Sequence, residues 1–189
     1  NNIMLNSPHK VGLQNIGQSC YMNATLQCLI NIKSLTNYLL SIFGNYDMMA
    51  KPLSFVYTHL ISQIFSTKEK YISPDMFKTI IGELNPLFKG NHAADSKDLV
   101  FFIIEKLHKE LNQENNNFAN YNIQKDYNKL ELEARDEKLM FNNFMNDFNS
   151  KNNSIISKIF YGIMRTTLTC QRCNTSKYSF QAFNIQIFQ

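Results

Sequence analysis

Apolar side chains return at helical spacing through most of this chain and switch to alternation near its end. From Ser19 to about Leu29, Tyr21, Thr25 and Cys28 fall on one face with Leu26 and Leu29 beside them, which predicts a helix. Pro52 opens a second helix, marked by Leu53, Val56, Tyr57, Leu60, Ile61 and Ile64. Ser73-Pro74-Asp75 predicts an N-cap with proline at the first helical position. The helix it opens carries Phe77, Ile80, Ile81 and Leu84 and stops at Asn85-Pro86. The strongest helical pattern runs from Asp95 to Leu111. Leu99, Val100, Phe102, Ile103, Ile104 and Leu107 make it apolar nearly all round, the mark of a helix buried over most of its surface.

Gln113 to Arg135 is polar and asparagine-rich, with no sustained apolar stripe, and reads as an inserted or mobile segment. Helical spacing resumes at Phe141, Phe144, Met145 and Phe148. From Ile163 the period becomes two. Met164, Thr166 and Leu168 alternate with Arg165, Thr167 and Thr169. Beyond Cys170-x-x-Cys173, Tyr178, Phe180 and Ala182 and then Phe183, Ile185 and Ile187 continue the texture, which predicts a β-ribbon with the two cysteines at its turn. A helical body followed by the start of a β region makes the fold class α+β.

Composition narrows the function classes. The 189 residues suit one ordinary domain or one lobe of a larger enzyme. A hydrophobic fraction of 44% excludes wholesale disorder, and six glycines with four prolines exclude collagen-like or linker chains. No apolar run approaches the ~20 residues of a bilayer span, so no membrane partner is expected. Asn1 to Lys10 holds no apolar signal core, and the expected location is intracellular, cytoplasmic or nuclear. The four cysteines, Cys20, Cys28, Cys170 and Cys173, are too sparse for a disulfide scaffold. The net charge of +4 is spread without a dense basic block, which argues against nucleic acid as a partner. The excess of Asn, Lys, Ile, Tyr and Phe follows AT-rich codons and is discounted as chemistry.

The most informative stretch is Val11 to Leu29, a glycine-punctuated loop that delivers Cys20 to the first turn of a helix. Unpaired backbone N–H groups at a helix start favour an anion, and a thiolate there is the nucleophile that acyl transfer requires. Gly12 and Gly17 permit tight turns and the close approach of a substrate backbone. Asn15 could turn its amide toward an oxyanion forming beside Cys20. On chemistry alone, an inert cysteine at a helix start and an asparagine that satisfies its own loop are the alternatives, and both are common.

The stretch resembles the cysteine box of the ubiquitin-specific proteases, Gly-Leu-x-Asn-x-Gly-x-Thr/Ser-Cys-Tyr-Met-Asn-x-x-Leu-Gln. Gly12, Leu13, Asn15, Gly17, Ser19, Cys20, Tyr21, Met22, Asn23, Leu26 and Gln27 all fall on it. The resemblance implies a papain-like cysteine protease with thumb, palm and fingers, with Cys20 as nucleophile and Asn15 as oxyanion-hole residue. Cys28, two turns on, is expected in the core. Ala93-Ala94-Asp95-Ser96-Lys97-Asp98-Leu99 is similar to the family's Gln-Gln-Asp-Ala-x-Glu-Phe segment, whose acids contact the basic tail of ubiquitin. That implies substrate contacts for Asp95 and Asp98, and two carboxylates a turn apart suit an arginine. Simple helix capping is the other role such an aspartate can take. The family's glutamines are replaced by Ala93 and Ala94.

The third match runs from about Phe141 to Ile187, where Ser154-Ile155-Ile156, Phe160-Tyr161-Gly162, Cys170-x-x-Cys173, Ser176 and Phe183 resemble the family's entry into its fingers. There a second cysteine pair completes a zinc ribbon, so Cys170 and Cys173 imply half of a structural zinc site; two reduced thiols at a hairpin are the alternative. Of His9, His59, His92 and His108, none stands in the family's Gly-His-Tyr setting. The resemblance therefore implies a thumb over 1–160, the start of the fingers over 161–189, and a palm with its histidine box outside this chain. It implies hydrolysis after the C-terminal glycine of ubiquitin, with ubiquitin and ubiquitinated proteins as partners and no catalytic cofactor. A ubiquitin-binding module without turnover, and a zinc-stabilised interaction domain with a structural Cys20, are the competing functions.

Overall fold

The computed structural model describes residues 11–42, 44, 48–113 and 134–184. The chain divides into two compact units, Asn1–Leu111 and Asn112–Gln189.

In the first unit a two-residue strand, β1 (Gly12–Leu13), precedes three helices: α1 (Cys20–Ile30), α2 (Lys33–Ser41) and α3 (Pro52–Ser66). A second short strand, β2 (Tyr71–Ile72), leads to α4 (Asp75–Leu84), a 3-10 turn at Pro86–Phe88, and α5 (Ser96–Leu111). β1 and β2 pair in parallel, Gly12 with Tyr71 and Leu13 with Ile72. The core gathers Met22 and Leu26 of α1, Leu35 and Leu39 of α2, Leu53, Tyr57 and Ile61 of α3, Phe77 and Ile81 of α4, and Leu99 and Ile103 of α5. Tyr57 is wholly buried with an unpartnered hydroxyl, and burial pushes its phenol far above the usual tyrosine range.

Three sequence expectations need correction here. Cys28 is exposed and not part of the core. The buried stripe of α1 is Met22, Leu26, Leu29 and Ile30 with Tyr21 and Thr25 at its edge, and Cys28 lies about 120° around the helix from Met22 at ~100° per residue. α4 starts at Asp75, with Pro74 at the cap. The Pro74 carbonyl accepts from Lys78 N at 2.9 Å, while the Ser73 hydroxyl bonds the Asp75 carboxylate and caps no backbone N–H. α5 buries one broad stripe of Leu99, Ile103, Ile104, Leu107 and Leu111, leaving Val100 and Phe102 half-buried.

One polar contact in this core has a large energetic effect. Lys51 at the N-cap of α3 supplies no side-chain cap. Glu110, from the last turn of α5, reaches across and accepts Leu53 N at 3.2 Å and Ser54 N at 2.7 Å. Its side chain is only 4% exposed and pairs with Lys106 at 3.5 Å. Replacing Glu110 by alanine would strand two buried N–H donors, and urea unfolding of Glu110→Ala is expected to show a loss of about 3 kcal/mol. Glu110→Gln, which keeps one acceptor, should recover part of it.

The second unit holds α6 (Glu137–Lys151), α7 (Ile155–Phe160) and the antiparallel strands β3 (Gly162–Thr169) and β4 (Ser176–Phe183). The register runs from Gly162 opposite Phe183 to Thr169 opposite Ser176. Asp136 caps α6 through Leu139 N at 3.0 Å, and Ser154 with Ser157 forms a capping box on α7. α6 buries no residue fully. Its apolar side instead builds an aromatic ladder: Phe141 and Phe144 lie 5.3 and 6.1 Å from Phe180, and Phe148 lies 5.9 Å from Tyr161. Arg165 and Glu137 form an exposed ion pair at 2.6 Å, and the bond with Glu137 holds the guanidinium above its ordinary range. Most of the inserted segment expected over 113–135, namely 114–133, lies outside the described residues, as do Ile185 and Ile187. Its flanks are tied down by Gln113 N to Asn153 O at 3.0 Å and Tyr178 N to Ala134 O at 2.8 Å. Among the described residues no helix is long and apolar enough to cross a membrane.

Candidate active site

The approach to Cys20 is built by α1 on its own upstream loop. Two polar side chains on the less buried side of α1 hold β1 in place. Gln27 Nε2 donates to Val11 O at 3.1 Å, and Asn23 Nδ2 donates to Leu13 O at 3.2 Å and Gln14 O at 3.0 Å. Between this anchor and the helix the chain reverses through Gly17 at φ 95° and Gln18 at φ 44°. Asn15 organises the reversal. Its Oδ1 accepts from Gly17 N at 3.2 Å, Ser19 N at 3.1 Å and Ser19 Oγ at 3.1 Å.

Ser19 sits at the N-cap of α1 but does not cap it. Its buried hydroxyl serves the loop instead, donating to Asn15 and accepting Ile16 N at 3.0 Å. The first intrahelical bond runs from Asn23 N to Ser19 O at 2.9 Å, so the N–H groups of Cys20, Tyr21 and Met22 precede the helical ladder. Cys20 is the first helical residue and is exposed, at the positive end of the helix dipole. Asn15, with Oδ1 committed to the loop, has Nδ2 as its remaining donor, and no acceptor meets it among the described residues. An exposed thiol, an uncapped helix start and a held amide are the ingredients of nucleophilic acyl transfer.

The floor under this turn is aromatic. Lys78 Nζ donates to Tyr21 OH at 3.1 Å and to Phe88 O at 2.9 Å, and lies 5.5 Å from the Tyr21 ring centre. Tyr21 stacks on Phe88 at 6.4 Å, and Phe88 meets Phe102 at 5.5 Å. The first turn of α1 is thereby fixed against α4, the 3-10 turn and α5.

Asp95 precedes α5 and performs the cap that Ser19 does not perform on α1. Its Oδ1 accepts Lys97 N at 2.8 Å and its carbonyl accepts Leu99 N at 3.2 Å. Asp95 is exposed and Asp98, in the first turn, is half-buried. The loop that carries Asp95 and leads into α5 is joined to the nucleophile loop by Ala93 N donating to Gln18 Oε1 at 3.0 Å. No spacing in the sequence signals this contact, and neither Gln18 nor Lys78 stood out there. Of the histidines, His59 stacks on Phe55 at 6.3 Å, His92 Nε2 lies 3.1 Å from Leu87 O, and His108 lies in the last turn of α5. His9 lies outside the described residues.

In the second unit the Cys170-x-x-Cys173 turn closes the β3–β4 hairpin as its alternation predicted. Cys170 N donates to Thr175 O at 2.9 Å and Asn174 N to Cys170 O at 2.8 Å, with Asn174 at φ 52°. Both thiols are exposed. Cys173 Sγ lies 3.3 Å from Thr175 Oγ1, and hydrogen bonds from the Thr175 hydroxyl and backbone, then from Cys170, draw its thiol down to about 7. The pair offers two of the four ligands that tetrahedral zinc takes, and among the described residues no group of three or more His, Cys, Asp or Glu is placed to hold a metal ion. These residues by themselves do not make a zinc site. A surface cavity of about 950 Å³ in this unit, lined by Arg135, Glu137, Phe141, Tyr178 and Phe180 among others, contains none of the candidate catalytic residues.

Comparison with known proteins agrees with the nucleophile loop. The family model described as ubiquitin carboxyl-terminal hydrolase matches residues 11–184. The chain is 32% identical over 184 residues to ubiquitin carboxyl-terminal hydrolase 15 of Homo sapiens and of Rattus norvegicus. It is 31% identical over 185 residues to ubiquitin carboxyl-terminal hydrolase 4 of Mus musculus. In each case 93% of this chain is covered but only 18% of the relative, so the chain spans about a fifth of the length of these proteins. A match over residues 11–184, from the nucleophile loop through α1 and α5 to the hairpin, places this α+β chain in the ubiquitin carboxyl-terminal hydrolase family, as part of a ubiquitin-specific protease catalytic domain.

Proposed function

We propose that the protein carrying this chain is a papain-like cysteine hydrolase that cleaves the bond after the C-terminal glycine of ubiquitin, acting inside the cell on ubiquitinated proteins. Cys20 Sγ attacks the glycine carbonyl and forms a tetrahedral oxyanion, which Asn15 Nδ2 and the N–H groups at the start of α1 stabilise. The carbon–nitrogen bond then breaks, the amine leaves with a proton, and ubiquitin remains as a thioester on Cys20. Water attacks that thioester, releasing the carboxylate and restoring the thiol. A histidine from sequence outside this chain moves the protons. Asp95 and Asp98, at the start of α5, bind the basic tail of ubiquitin, with Asp95 using the oxygen not engaged by Lys97. In the family's terms the helical unit belongs to the thumb and the hairpin opens the fingers. A structural zinc would take Cys170 and Cys173 together with a second pair from outside this chain, and it supplies no catalytic step.

The observation that carries this reading is the division of labour in Asn15. Three loop donors hold its oxygen, and its nitrogen is left as a donor beside a helix start that presents an exposed cysteine. The test is intact mass of the full-length protein after mixing with ubiquitin bearing a C-terminal thiol-reactive group. One ubiquitin added, with peptide mapping to Cys20, is expected. Attachment at Cys28, Cys170 or Cys173 instead, or no attachment, would overturn the reading.

A further inference from the structure

Two consecutive residues ahead of Cys20 hold left-handed backbone, Gly17 at φ 95° and Gln18 at φ 44°. Such conformations are rare for a side-chain-bearing residue and persist only where the surroundings over-determine them. The surroundings here come from far along the chain. Ala93 N donates to Gln18 Oε1 at 3.0 Å across 75 residues of sequence. Asn91, two residues earlier, lies so close over Gly17 that a Cβ there would fall 2.0 Å from its Oδ1. The loop ahead of α5 therefore grips both left-handed residues. From the other side, Asn15 Oδ1 takes the N–H groups of Gly17 and Ser19, which flank Gln18.

We infer that Gln18 is a positioning residue for the hydrolysis proposed above, acting through the turn it occupies. Its side-chain carbonyl, clasped by Ala93, fixes the rotation of the 17–19 backbone and so the placement of Cys20 relative to the Asn15 amide. Gln18 is exposed, so its side chain adds little to the core, and releasing it moves the turn without dismantling the helical unit. Turning the Gly17–Gln18 segment shifts both N–H groups that hold Asn15, and small misplacements of reacting groups slow chemistry far more than they weaken binding.

The experiment measures kcat and KM separately, on the full-length protein, with ubiquitin carrying a C-terminal fluorogenic amide. Gln18→Ala and Gln18→Met, the second filling the space without an amide acceptor, are each expected to lower kcat about tenfold and to leave KM within about twofold. Gln18→Glu, which returns an acceptor to Ala93 at the same length, is expected to recover most of the rate. Wild-type kcat in Gln18→Met, a rise in KM alone, or a loss in Gln18→Glu equal to that in Gln18→Ala would each overturn the inference while leaving the hydrolase reading intact. A wild-type protein with neither turnover nor ubiquitin attachment at Cys20 would overturn both.

Discussion

Cys20→Ala is expected to lower ubiquitin hydrolysis by the full-length protein by at least ~10⁴-fold, because it deletes the bond-forming atom itself. The informative control is Cys28→Ala. Both thiols are exposed and both lie on α1, eight residues apart, so a reagent in solution meets either one. What differs is position. Cys20 opens the helix, where the N–H groups of the first turn are unpaired and Ser19 does not cap them, whereas Cys28 lies near the other end. Cys28→Ala should therefore retain wild-type kcat and KM. Ubiquitin binding should survive in Cys20→Ala, measured by titration, since the tail contacts proposed for Asp95 and Asp98 do not involve the sulfur. Turnover persisting in Cys20→Ala would sink the nucleophile assignment and favour a structural cysteine.

The elements with a long apolar period were legible in the sequence. α3 and α5 carry four turns of core residues each, and tertiary packing follows the stripe that Leu53 to Ile64 and Leu99 to Leu111 announce. α2 was not legible, because its buried set of Leu35, Thr36 and Leu39 spans little more than one turn. β1 and β2, with two residues each, are too short to show any alternation. Cys28 was misplaced because a small apolar residue at the margin of a stripe carries no directional signal, and the burial of Met22 and Ile30 rotates the true stripe away from it. For the candidate site the residues themselves were legible, but their partners were not. Asn15 and Ser19 could be named from the cysteine box, yet the reuse of the Ser19 hydroxyl as a loop clasp appears only in three dimensions. The Ala93–Gln18 bond depends on how α5 packs against α1, which no local pattern encodes.

Asn15→Ala is expected to reduce kcat by about 10²–10³-fold, the usual cost of losing one oxyanion donor. That loss alone would be ambiguous, since alanine also removes the acceptor for Gly17 N, Ser19 N and Ser19 Oγ and so loosens the turn. Asn15→Asp separates the two roles. Aspartate keeps an oxygen for all three loop donors and strengthens those bonds by its charge, but it has no N–H to offer. If Asn15 acts as the oxyanion donor, Asn15→Asp should fall at least as far in kcat as Asn15→Ala, because a carboxylate beside a developing oxyanion repels it. Its thermal unfolding midpoint should match the wild type, while that of Asn15→Ala drops. KM should move little in either variant, since the donor meets the substrate oxygen fully only as charge develops on it. Activity near wild type in Asn15→Asp would sink the donor role and leave Asn15 as a clasp for the loop, with the backbone N–H groups of α1 alone stabilising the oxyanion.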